Sequence, residues 1–86
     1  MIFVAYYSAI ESVYLFDGNK SVYYSLENDT TYNRGIVIET CKNINEVVNT
    51  LYIYFPRELL TFFELPDFDI FDKEEMIKNL PLELFL

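Results

Sequence analysis

The chain predicts an α+β fold: a small antiparallel sheet over residues 2–41, covered by two or three short helices at 44–55, 57–64 and 73–79. Three observations lead there. The first half is rich in β-branched and aromatic residues, with stretches that alternate polar and apolar. A compact turn signal, Asp17-Gly18-Asn19, divides two of those stretches. The second half changes period, placing apolar residues three and four apart behind helix-capping side chains.

Taken in order, Ile2–Tyr7 and Ile10–Phe16 read as the first two strands. After the turn, Ser21–Leu26 alternates, with Val22, Tyr24 and Leu26 on one face and Ser21, Tyr23 and Ser25 on the other. Across the hairpin, Val13 and Leu15 are expected to share the buried face, leaving Ser12, Tyr14 and Tyr23 outward. The polar run from Glu27 to Asn33 reads as a loop, and Ile36 and Ile38 as the centre of a further strand. Such a sheet has one apolar face that needs a cover.

The cover is expected from the second half. Asn43 and Glu46 fit a capping box, followed by Ile44, Val47, Val48, Leu51 and Phe55 on one helical face. Pro56 disfavours helical geometry at Phe55 and suits the first turn of a second helix up to Glu64. Asp72, Glu74 and Glu75 repeat the cap-then-acid pattern before Met76, Ile77 and Leu80, with Pro81 as the stop. The tail Leu82–Leu86 alternates and must dock on a sheet edge or on another chain. The 86 residues are expected to make one domain, 1–86, without repeats or linkers.

Composition excludes more function than it supplies. The chain has no histidine, which removes Ser-His-Asp and Cys-His catalysis and most zinc sites. Two glycines, Gly18 and Gly35, cannot build a phosphate-cradling loop. The run Asp67-Phe68-Asp69-Ile70-Phe71-Asp72 invites a calcium test. Taking Asp67 as the first loop position puts Asp72 where the glycine belongs and Lys78 where the bidentate glutamate belongs, so the test fails. No enzyme, cofactor or metal site is expected. Cys41, the lone cysteine, reads as a small buried thiol in a reduced, cytoplasmic protein (the host cytoplasm if the chain is viral). The uncharged start lacks the basic region of a signal peptide, and no apolar run is long enough to cross a membrane.

Fourteen acidic side chains against six basic ones leave a net charge of −8, which repels nucleic acid and anionic lipid. The excess is uneven: residues 1–56 hold six acids and three bases, whereas 57–86 hold eight acids and three bases. Eight Phe and eight Tyr, at roughly 150–250 Å² each, oversupply so small a core and imply aromatic surface. The candidate partner-binding residues are accordingly Glu64, Asp67, Phe68, Asp69, Phe71, Asp72, Glu74 and Glu75, with Tyr14 and Tyr23 as an alternative face.

The expected function is that of a small acidic inhibitor or adaptor for a protein partner with a basic, nucleic-acid-handling surface. Mobile genetic elements and phages make many chains of this size and charge, so an anti-CRISPR or anti-restriction role is the concrete form of that expectation. The alternative is a self-assembling structural protein, a homodimer among its forms, built through surface aromatics and the apolar tail.

Overall fold

The computed structural model describes residues 1–32 and 34–86; Asn33, at the end of the expected polar loop, lies outside the described residues. One antiparallel sheet of five strands forms the centre, in the order β4-β3-β2-β1-β5. Its strands are β1 (Ile2–Tyr7), β2 (Ser12–Phe16), β3 (Ser21–Ser25), β4 (Thr30–Tyr32) and β5 (Leu60–Leu65). Two α-helices, α1 (Ile44–Tyr54) and α2 (Lys73–Asn79), complete an α+β fold.

The β2–β3 hairpin puts Val13 and Leu15 on one face with Val22 and Tyr24, as the alternation predicts, and pairs Val13 with Tyr24 and Leu15 with Val22. Its turn closes because Asp17 Oδ1 accepts from the N–H groups of Asn19 (2.9 Å) and Lys20 (2.6 Å). Gly18 supplies the positive φ of 97° between them.

Both faces of the sheet are covered. Ile2, Val4, Val13, Leu15, Val22 and Tyr24 pack under Ile70, Met76 and Leu80 from the α2 side. On the reverse face, Phe3, Ala5, Tyr14 and Phe16 pack under Ile38, Cys41, Val47 and Leu51 from the α1 side. The expectation of outward Ser12 and Tyr14 is therefore corrected: they are 0% and 6% exposed. The helices settle on opposite faces because the pleat gives each strand two sides, and the aromatic residues make the second side apolar as well.

Four further expectations change. Residues 57–64 are not a helix: Pro56 opens a single 3₁₀ turn, Arg57–Leu59, and the chain then extends as β5, antiparallel to β1. The sheet therefore runs from residue 2 to 32 and adds 60–65, in place of the expected 2–41. Around Ile36 and Ile38 there is no strand. Ile38 N–H donates to the Gly35 carbonyl (2.7 Å) and Cys41 N–H to the Ile38 carbonyl (3.0 Å), so Gly35, Ile38 and Cys41 turn inward at a spacing of three. The expected loop from Glu27 includes β4, whose Tyr32 pairs with Tyr23. The tail forms a 3₁₀ turn, Leu82–Phe85, with Leu84 packed against the α2-side core.

Helix boundaries follow the caps. Asn43 Oδ1 accepts from Glu46 N–H (2.9 Å), while the Glu46 carboxylate reaches past Asn43 to Lys42 N–H (2.6 Å). Asp72 Oδ1 accepts from the N–H groups of Glu74 (3.0 Å) and Glu75 (3.3 Å) at the start of α2. Phe55, before Pro56, is extended and ends α1.

Candidate functional site

The segment between β5 and α2 carries most of the candidate contact residues, and local bonds hold each in place. Asp69 Oδ1 accepts from Phe71 N–H (2.9 Å), and Asp72 N–H donates to the Asp69 carbonyl (3.0 Å), winding the chain into a turn. Ile70 is thereby driven into the core at 2% exposure, and Phe68 is half-buried against the same cluster. Phe71 points the other way, 43% exposed, with Lys20 Nζ 5.5 Å from its ring centroid. One turn and the first turn of α2 thus bring together Asp69, Phe71, Asp72, Glu74 and Glu75.

Two acidic candidates stand apart from that group. Glu64 lies on β5 opposite Phe3, hence on the α1 side of the sheet. Asp67 pairs with the amino group of Met1 at 2.5 Å.

The tyrosine candidates form a cross-strand ladder. Tyr14 meets Tyr23 edge-to-face with ring centroids 5.1 Å apart, and Tyr23 meets Tyr32 in the same way at 5.5 Å. Beside the ladder lies an open groove of about 280 Å³, lined by Tyr14, Tyr23, Tyr32, Arg34, Ile36 and Val37. Arg34 is shared with a second depression that includes Lys20 and Phe71. Phe71 of the acidic turn and the tyrosine ladder, alternatives on sequence grounds, therefore flank Arg34 from two adjoining depressions. Arg34 makes a long 3.8 Å contact with Glu39 and is otherwise open to solvent. Sequence reasoning missed Tyr32 and Arg34. The signal for Tyr32 was present, since a third strand beside Tyr23 would extend the ladder.

Burial, and secondarily the neighbouring Tyr23, pushes the Tyr14 hydroxyl up to about 12. Tyr24 is also pushed up to about 12, by burial first and then by its hydrogen bond to Asp29 Oδ1 (2.8 Å). Both remain protonated donors at neutral pH. Asp29 is held below the usual carboxylate range by Tyr24 first and by Lys73 second, whose Nζ lies 3.0 Å from Oδ1. Lys73 also donates to the Asp29 carbonyl (2.9 Å), so this clasp joins the β3–β4 turn to the start of α2.

Among the described residues, no group of three or more His, Cys, Asp or Glu side chains is placed to hold a metal ion. Nor is any helix of the described residues long and apolar enough to cross a membrane. Cys41 is buried, its Sγ 3.5 Å from Thr50 Oγ1. No family model matches the chain, and neither does any curated protein or solved structure.

Proposed function

We propose that this chain is a small acidic inhibitor or adaptor that covers the basic surface of a nucleic-acid-handling protein, in the manner of an anti-CRISPR or anti-restriction protein. One observation carries the reading. All eight acids from Glu58 to Glu83 are exposed, and among the described residues only Asp67 of these is in an ion pair. The nearby cations do little to offset them. Residues 57–86 hold only three, Arg57 over the Tyr52 ring at 4.1 Å, Lys73 paired with Asp29 and Lys78 exposed on α2, against the eight acids.

A field of this kind speeds encounter with a basic partner and occupies sites that otherwise take phosphate. Phe71 and the tyrosine groove add apolar contact beside the charge, and tyrosine does so at small entropic cost.

The test is affinity capture from bacterial lysate with tagged protein, wild type against Glu74→Gln/Glu75→Gln. These two carboxylates make no side-chain hydrogen bond among the described residues, so their neutralisation should cost the fold no more than the charge–dipole contribution of the first turn of α2, about 1 kcal/mol each at most. Capture of a basic nucleic-acid-binding protein, weakened at least tenfold between about 50 and 500 mM salt and weakened again in the double variant, is the expected result. Capture indifferent to both salt and variant would overturn the reading. A self-assembling structural role is the second reading, favoured by the exposure of Leu82 (72%) and Phe85 (40%).

A further inference from the structure

The sheet ends on β5, and among the described residues no strand pairs with its outer side. β5 lies against β1 alone, from Leu60 opposite Tyr7 to Leu65 opposite Ile2. In an antiparallel strand every second residue turns its N–H and C=O away from the neighbour, so three of these six residues present both groups outward. Among the described residues, the Leu60 N–H turns back to the Arg57 carbonyl, and no hydrogen bond from outside the strand reaches the outward groups of Phe62 and Glu64.

Edges of this kind are ordinarily blunted by a lysine, a proline, a bulge or extreme shortness. β4, the opposite edge, has only three residues. β5 has six, Leu-Thr-Phe-Phe-Glu-Leu, with no cation and no proline, and its register with β1 is unbroken. Phe62 and Phe63 are only half-buried, one on each side of the sheet.

We propose that β5 pairs antiparallel with β5 of a second copy, joining two five-stranded sheets into one. Two observations favour a second copy over a foreign strand. The first is self-complementarity. A two-fold axis perpendicular to the sheet keeps like faces together, so the pair centres on either Phe62 or Phe63. Either way an aromatic meets its own copy, and Glu64 faces Leu60 or Phe62 and never another carboxylate. The second is charge. Net −8 on each copy opposes pairing overall, but β5 carries a single carboxylate, so the seam itself holds few like charges and offers a basic foreign strand little to recognise. A basic partner would be drawn to the acidic turn and α2 instead.

The test is sedimentation equilibrium of the wild-type chain and of Thr61→Lys/Glu64→Lys, with circular dichroism as the check on folding. The wild type should sediment at 20.6 kDa, twice its 10.3 kDa. Its dissociation constant should fall several-fold between about 50 and 500 mM salt as repulsion is screened. The variant lowers net charge from −8 to −5 (one added lysine, one reversed glutamate), which relieves repulsion. It should nonetheless dissociate at least tenfold more readily, because lysines now line the edge. A wild type monomeric at all salts, or a folded variant that dimerises unchanged, overturns the proposal.

Should the variant unfold, amide exchange decides on wild-type protein alone. The Phe62 and Glu64 amides should gain protection as concentration rises, and protection independent of concentration would equally overturn the proposal. The salt response is opposite in sign to that of partner capture, and the capture variant, Glu74→Gln/Glu75→Gln, leaves β5 unaltered, so failure of one reading is distinguishable from failure of the other.

Discussion

Asp29 holds three elements together from an exposed turn. Its backbone is left-handed (φ 51°), its carboxylate accepts from Tyr24, and Lys73 grips both its side chain and its carbonyl. Because its folded value is depressed, the stability it contributes is complete above the ordinary aspartate range and is lost as pH falls through the lowered value. The tyrosines behave in the opposite sense. With Tyr14 and Tyr24 at about 12 and the unfolded groups at 10.0, the unfolded state ionises first, so stability should decline as pH rises from about 10 to 12. Urea midpoints measured across pH 9–12 check this; Tyr24→Phe should flatten the decline and cost about 1 kcal/mol at pH 7. Ser12 presents a different case. Its hydroxyl is fully buried and has no hydrogen-bond partner among the described residues. Ser12→Ala should therefore be neutral or stabilise by up to about 1 kcal/mol, where truncation at a fully buried position ordinarily destabilises.

The elements differ in how plainly they were written in the chain. Asn43 and Asp72 cap α1 and α2 as their spacing predicts, because a cap involves only the next three residues. Asp72→Ala should cost about 1 kcal/mol in a denaturant titration, since two N–H groups lose their acceptor. That cost also makes reversal of Asp67, Asp69 and Asp72 together an unsuitable probe of partner binding, as their carboxylates serve an ion pair, a turn and a cap. The β-branched residues of Gly35–Cys41 suit a strand, whereas here Gly35 packs closely against Ile38 and Ser21, both buried, and a side chain at Gly35 would crowd them. An added Cβ would lie 3.1 Å from Ile38 Cγ1 and 3.2 Å from Ser21 Oγ. Gly35→Ala should destabilise by about 1–3 kcal/mol, read from the same titration. β5 was misread as a helix because Pro56 suits a first helical turn. The contrary signal lay far away: β1 is apolar on both faces along Ile2–Ala5, the mark of an interior strand that needs a neighbour on each side.

Across the molecule, net charge and edge pairing act against each other. A net charge of −8 opposes association at neutral pH, and the sequence pI of 4.2 is where that repulsion vanishes. Lowering pH from 7 toward 5 should therefore tighten the β5 dimer and weaken capture of a basic partner, both measurable in one titration series. The acidic surplus was legible from the chain, as was its concentration after residue 56; that Phe71 and the tyrosine ladder flank Arg34 was not. The hairpin turn, the shared face of Val13 and Leu15, and the helix caps were readable because each depends on residues a few positions apart, whose sterics and hydrogen bonds hold in any context. The fifth strand, the burial of Tyr14 and the cover on both faces depend on contacts between segments tens of residues apart. Those contacts form only when β1, with two apolar sides, is enclosed by β2 and β5 and roofed by α1 on one face and α2 on the other.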